Sequence, residues 1–124
     1  MRLAIILAGL ALCGFAAPRL VDSWNNGPKT PAYHRVLADC ETLTHSHGRN
    51  AVNGRWVMPL SSAQIAVADK RLTVTCQDGS ACIRAGRMKD LPGRLASHDI
   101  PFDSPADAAA MAAALEALQQ ACKG

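Results

Sequence analysis

The pattern of apolar positions is clearest near the C-terminal end of the chain. Met111, Leu115, Leu118 and Cys122 recur at steps of four, three and four residues, which places them in one narrow stripe on an α-helix. The preceding stretch Ser104-Pro105-Ala106-Asp107 supplies an N-cap serine, a proline at the first helical position and an acid in the first turn. The sequence therefore predicts a helix of about seventeen residues that packs its stripe against a sheet.

Shorter runs upstream alternate between apolar and polar positions, which is typical of strands. In Arg71–Cys76 the side chains of Leu72, Val74 and Cys76 share one face. The predicted strands are 55–60, 63–68, 71–76 and 98–102, with 82–85 completing a hairpin with 71–76. Residues 36–43 fit a helical turn or a strand, and residues 87–97 are predicted to form a polar loop. The expected fold class is α+β, a small antiparallel sheet or open barrel closed by one C-terminal helix.

The N-terminal segment has the composition of a secretory signal peptide, assigned to residues 1–17. Arg2 precedes fifteen apolar residues, and small residues lead to Pro18. The run is shorter than the roughly 20 residues of a membrane span. A retained anchor is one alternative. Lipidation at Cys13 is another, although Leu12 is larger than the small residue expected before a lipidated cysteine.

Removal of this segment would leave two parts, an irregular lead-in or tether at residues 18–32 and a single domain at residues 33–124. The lead-in is rich in proline, glycine and asparagine. We expect a periplasmic or secreted protein with no membrane span after processing.

The cysteines after Cys13 number four, and an even number in a small exported domain indicates two disulfides. The expected pairs are Cys76–Cys82 and Cys40–Cys122, with the crossed pairings as alternatives. A two-residue turn at Asp78-Gly79 would point the first pair to opposite faces of a hairpin, and a bulge would be needed to bring them together. Their five-residue spacing differs from the two-residue spacing of redox motifs, and the chain has no second pair at zinc-ligand spacing.

Charge is distributed unevenly along the chain. Residues 49–94 carry eight Lys and Arg against three acids, whereas residues 95–124 carry one Lys against four acids. The predicted binding surface comprises Arg84, Arg87, Lys89 and Arg94, facing an unknown envelope protein or an anionic envelope component. A solvated surface with no partner is the alternative. Few aromatic residues lie near these cations, and export argues against nucleic acid.

The strongest candidate for chemistry is His45-Ser46-His47. On a strand, residues two apart share a face, so both imidazoles could bind one metal ion, with Glu41, His34 or His98 completing the site. An exposed loop is the alternative. The sequence has no nucleophile elbow and no phosphate-binding glycine loop. No catalytic residue and no cofactor are therefore predicted, and the protein is not expected to be an enzyme.

One resemblance bears on fold and function. "LTVTCQDGSACI" followed by "IPFDSPADAAAMAAALEALQQAC" resembles exported bacterial domains of the pleckstrin-homology-like kind, over about residues 60–122. The resemblance implies a strand barrel closed by a helix, and binding of peptides, proteins or lipid headgroups. The predicted function is thus a small exported, non-enzymatic envelope binding or structural module, the alternative being a periplasmic metal-binding protein that uses His45 and His47.

Overall fold

The structure, a computed structural model, describes residues 2–8, 20–26 and 34–123. Ten strands and one α-helix are defined there: β1 Arg2–Ala8, β2 Leu20–Asn26, β3 His34–Asp39, β4 Thr42–His47, β5 Gly54–Pro59, β6 Ala63–Ala68, β7 Arg71–Cys76, β8 Ile83–Arg87, β9 Asp90–Leu95, β10 Ser97–Pro101 and α1 Pro105–Lys123. Antiparallel pairing gives a seven-stranded sheet, β1-β2-β3-β4-β5-β8-β9, and a three-stranded sheet, β10-β7-β6. The predicted α+β class is confirmed, and over the described ranges the sheets do not close into a barrel.

The core lies between the two sheets and the helix. One face of the seven-stranded sheet, called the inner face, contributes residues such as Val36, Leu43 and Ile83. The three-stranded sheet contributes Leu72 and Ile100. Because the core side chains alternate along β3, β4 and β5, their neighbours on those strands point to the opposite side of the seven-stranded sheet, called the outer face.

The predicted helix is confirmed. The Ser104 hydroxyl accepts a hydrogen bond from the Asp107 amide at 3.1 Å, which caps the first turn. Met111, Leu115 and Leu118 are fully buried, as their spacing indicates. The Gln119 side chain donates to the carbonyl oxygen of Leu60 in the β5–β6 connection and to that of Ala63 at the start of β6, which fixes the helix over this connection.

Both expected disulfides are present. Cys40–Cys122 joins the end of β3 to the last turn of α1 across 82 residues of sequence. Cys76–Cys82 closes the connection between β7 and β8. The two cysteines do not have to meet across a hairpin, because β7 and β8 do not pair with each other. Their connection carries the chain from one sheet to the other.

The sequence prediction is wrong for residues 82–97. Instead of completing a hairpin with β7, β8 pairs with β5 and β9. Instead of a polar loop, residues 90–95 form the edge strand β9. Its sequence DLPGRL lacks alternation, and an edge position tolerates Pro92. Gly86 is required here, since a Cβ atom would clash with the Asp90 carbonyl oxygen.

Within the predicted irregular lead-in at residues 18–32, the described part, Leu20–Asn26, forms the strand β2. Val21 and Ser23 are buried, and Asp22 accepts two hydrogen bonds from Arg35 at 2.9 and 2.8 Å. The domain therefore begins before residue 33. The ambiguous stretch 36–43 belongs to β3 and β4, which are joined by a turn that the Asp39 carboxylate caps through two backbone amides.

At the N-terminal edge, β1 pairs antiparallel with β2. The signal peptide at residues 1–17 stays a prediction, and both Cys13 and the cleavage position before Pro18 lie outside the described residues. No helix in the described ranges has the length and apolar character needed to cross a membrane.

Candidate functional site

The outer face of the seven-stranded sheet carries a group of cations around β5, β8 and β9. Arg84 of β8 lies directly opposite Arg94 of β9, and both side chains are exposed. Arg84 also lies beside Val57 of β5, and Arg55 is two residues further along that strand. We call Arg55, Arg84 and Arg94 the cationic face.

Like charges directly opposite each other on a sheet repel, because their Cβ atoms are about 5 Å apart. Within the described ranges, neither Arg84 nor Arg94 forms an ion pair or a hydrogen bond through its side chain. Arg35, on the same outer face, differs because Asp22 neutralises it at 2.8 Å. The cationic face is therefore uncompensated, and an anion from outside the chain would stabilise it.

The other two residues of the predicted binding surface lie at the end of the same hairpin. Arg87 is opposite Asp90, and Lys89 is in the β8–β9 turn. The structure thus brings Arg84 and Arg94 together and places Arg87 and Lys89 at the tip. Arg55 is one of the basic residues of the middle segment, but the sequence alone does not assign it to this surface, because that assignment requires the β5–β8 pairing.

A different arrangement lies between the inner face and the three-stranded sheet, a chain of three histidines that we call the histidine ladder: His34, His45 and His98. His34 Nδ1 lies 2.9 Å from His45 Nε2, and His45 Nδ1 lies 2.8 Å from His98 Nε2. A neutral imidazole has one donor and one acceptor nitrogen, so the three rings form a hydrogen-bonded series. The ladder crosses from β3 through β4 to β10 and connects the two sheets.

Two further rings pack on the ladder. His47 stacks on His34 with ring centroids 4.2 Å apart, and Trp56 stacks on His98 at 4.1 Å. His45 is 3% exposed. Beside it lies a cavity of about 10 Å³, roughly the volume that admits one water molecule.

Burial lowers the pKa of all three ladder histidines. The pKa of His34 falls to about 4, because of burial and then the nearby His47. The pKa of His98 also falls to about 4, mainly through burial. Burial, reinforced by His98 and His34, holds the pKa of His45 well below its usual value. The ladder is therefore neutral at pH 7.

The predicted metal pair, His45 and His47, lies on one strand as expected, but the ring of His34 packs against both. Both ring nitrogens of His45 already face other histidines. Glu41 is exposed in the β3–β4 turn, at the end of β4 far from His47. In the described part of the chain, no group of three or more candidate ligands is arranged to hold a metal ion.

Comparison with known protein families, with characterised proteins and with solved structures finds no match to this chain. The resemblance to pleckstrin-homology-like domains therefore stays a prediction.

Proposed function

We propose that this protein is an exported, non-enzymatic binding module that contacts an anionic surface of the cell envelope, in the periplasm or outside the cell. The observation that carries the proposal is the uncompensated Arg84–Arg94 pair on the cationic face. The two disulfides support an oxidising compartment, where such bonds persist.

Phospholipid headgroups are the anionic partner that this surface fits best. The cations lie on the open side of a sheet, and α1 packs against the other side of the molecule, on β6 and β7. A broad membrane surface can reach such a face without a cleft. The guanidinium group also matches phosphate oxygens in a two-pronged geometry, and each Lys or Arg near an anionic leaflet is worth about 1 kcal/mol.

Sedimentation with vesicles tests the proposal. At low salt, the protein should bind phosphatidylglycerol-containing vesicles and not vesicles of neutral lipid. The double variant Arg84→Ala, Arg94→Ala should lose about 2 kcal/mol, close to a 30-fold loss of affinity. Binding should also weaken steeply as salt is added.

The matched control removes two exposed cations elsewhere, Lys70→Ala with Lys123→Ala. It lowers the net charge by the same amount as the Arg84, Arg94 double variant. A loss of vesicle affinity of less than threefold would therefore assign binding to the cationic face. Equal losses of vesicle affinity in both double variants would show that binding depends only on net charge, and would overturn the proposed surface. Absence of vesicle binding in the wild type would overturn the lipid partner, and capture of an acidic protein through Arg84 and Arg94 would then replace it.

A further inference from the structure

A pocket of about 430 Å³ opens at one end of the cationic face. Its walls are Asn50 and Arg55 on one side and Met88 and Lys89 of the β8–β9 turn on the other. The amide of Met88 donates to the carbonyl oxygen of Ala51 at 3.0 Å and holds the two walls together. The pocket is therefore formed by two connected segments of the folded chain.

Arg55 has an unmet hydrogen-bonding requirement at this place. Its Nε atom is buried and has no hydrogen-bond partner, and within the described ranges its guanidinium forms no ion pair. A buried polar atom without a partner is uncommon and costs stability, more so in a charged group. The pocket does not reach this enclosed atom, but an anion in the pocket would compensate the charge of the Arg55 guanidinium group, which has no ion-pair partner in the described ranges.

The charge of the pocket selects the kind of acceptor. Arg55 and Lys89 bring two positive charges, and no acid is among the lining residues. The nearest acid along the hairpin, Asp90, lines a separate depression with Arg87. A phosphate monoester carries close to two negative charges at pH 7 and three acceptor oxygens, whereas a carboxylate carries one charge.

We infer that this pocket binds a phosphate group, held by the planar fork of Arg55 and the point charge of Lys89. The volume exceeds that of phosphate alone and lies in the range of small-ligand sites, so the phosphate belongs to a larger molecule. This inference rests on the proposed function, because the pocket adjoins the cationic face and would give that face a preference for phosphate.

The test is a titration with inorganic phosphate, followed through backbone amide NMR signals at constant ionic strength. Saturable shifts are expected at Asn50, Met88 and Lys89. Arg55→Lys keeps the charge and removes the fork, and it should weaken phosphate binding at least tenfold; Lys89→Ala, an exposed change, should weaken it about fivefold. The amide spectrum of each variant also verifies its fold.

The control variant Lys70→Ala, Lys123→Ala removes two exposed cations elsewhere and should bind inorganic phosphate within twofold of the wild type. Amide shifts that do not saturate with phosphate would overturn the proposed phosphate site. Equal losses of phosphate affinity in this control and in Arg55→Lys would overturn it too. Intact vesicle binding by Arg55→Lys together with absent phosphate binding in the wild type would remove the pocket and leave the proposed function standing.

Two sources of the phosphate are separated by a second pair of probes that both present a phosphate monoester, glycerol 3-phosphate and vesicles that contain phosphatidic acid. Loss of affinity for both probes in Arg55→Lys supports a lipid headgroup. Loss for glycerol 3-phosphate alone supports a soluble phosphorylated ligand. Unchanged affinity for both would overturn the inference.

Discussion

The two faces of the seven-stranded sheet use the same strands for opposite purposes. On β5, Trp56 stacks against His98 in the interior, while its neighbour Arg55 faces outward and has no acidic partner in the described ranges. On the inner face, the three histidines of the ladder are hydrogen-bonded to each other. On the outer face, like charges lie side by side without compensation. The inner face therefore serves stability, and the outer face retains a cost that an external partner would offset.

The largest expected loss of stability follows removal of the covalent link that holds the helix to β3, next to the inner face. Cys40→Ala with Cys122→Ala should lower the free energy of unfolding by about 4.5 kcal/mol, since the loop spans 82 residues. The Cys76–Cys82 bridge closes a much shorter loop, so its removal by Cys76→Ala with Cys82→Ala should cost about 2.4 kcal/mol. Urea unfolding without reductant measures both. Equal losses would contradict the view that the long bridge is the main covalent support.

The next largest effect concerns packing. Leu115 is fully buried in the core, so Leu115→Ala should cost about 3 kcal/mol through lost burial and the cavity left behind. Val57→Ala, on the outer face, should cost less than about 1 kcal/mol. Comparable losses measured by urea unfolding would mean that the outer face is also covered by part of the molecule.

The histidine ladder makes the inner face sensitive to acid. His34 and His98 have folded pKa values of about 4, below the value of 6.5 in the unfolded chain. The unfolded state therefore binds more protons, and stability that is fully present above pH 6.5 is lost as the pH falls toward 4. After discounting for solvent screening of the half-buried rings, the loss should be about 2 kcal/mol.

The ladder prediction is measured by urea unfolding between pH 7.5 and 5, above the range where carboxylates titrate. The variant His34→Gln, His98→Gln should be less stable at pH 7.5 but should show a flatter pH dependence, with the contribution of the buried His45 remaining. The groups that face the ladder remain in this variant, namely His45, His47, Asp99 and Asp103. An unchanged slope would show that the ladder is not the acid-sensitive element.

Much of the fold could be predicted because its signals are local. The stripe of α1 and its Ser104 cap specify the helix, and the alternation of β6 and β7 specifies both strands to the residue. The edge strand β9 was missed because Leu91-Pro92-Gly93 breaks alternation and only one neighbour pairs with it. The pairing of β8 with β5 depends on distant contacts that no local pattern contains.

The candidate site also combines features that the sequence predicts with features that depend on the fold. The charge distribution alone pointed to Arg84 and Arg94, but their direct opposition depends on the register of β8 and β9 and its irregularity between Ala85 and Arg87. His45 and His98 are 53 residues apart in sequence, so their hydrogen bond could not be read from spacing. The buried, unpaired Nε atom of Arg55 is visible only once the turn packs beside it.

The most direct test of the contrast between the two faces is the variant Arg84→Glu, measured for vesicle binding and for stability in the same buffer. It replaces a repulsive cross-strand pair by an attractive one, so the free energy of unfolding should rise by about 0.2–1 kcal/mol. Affinity for phosphatidylglycerol vesicles should fall at least tenfold. Unchanged affinity, or a loss of stability alongside the loss of binding, would contradict the claim that the outer face is kept for a partner.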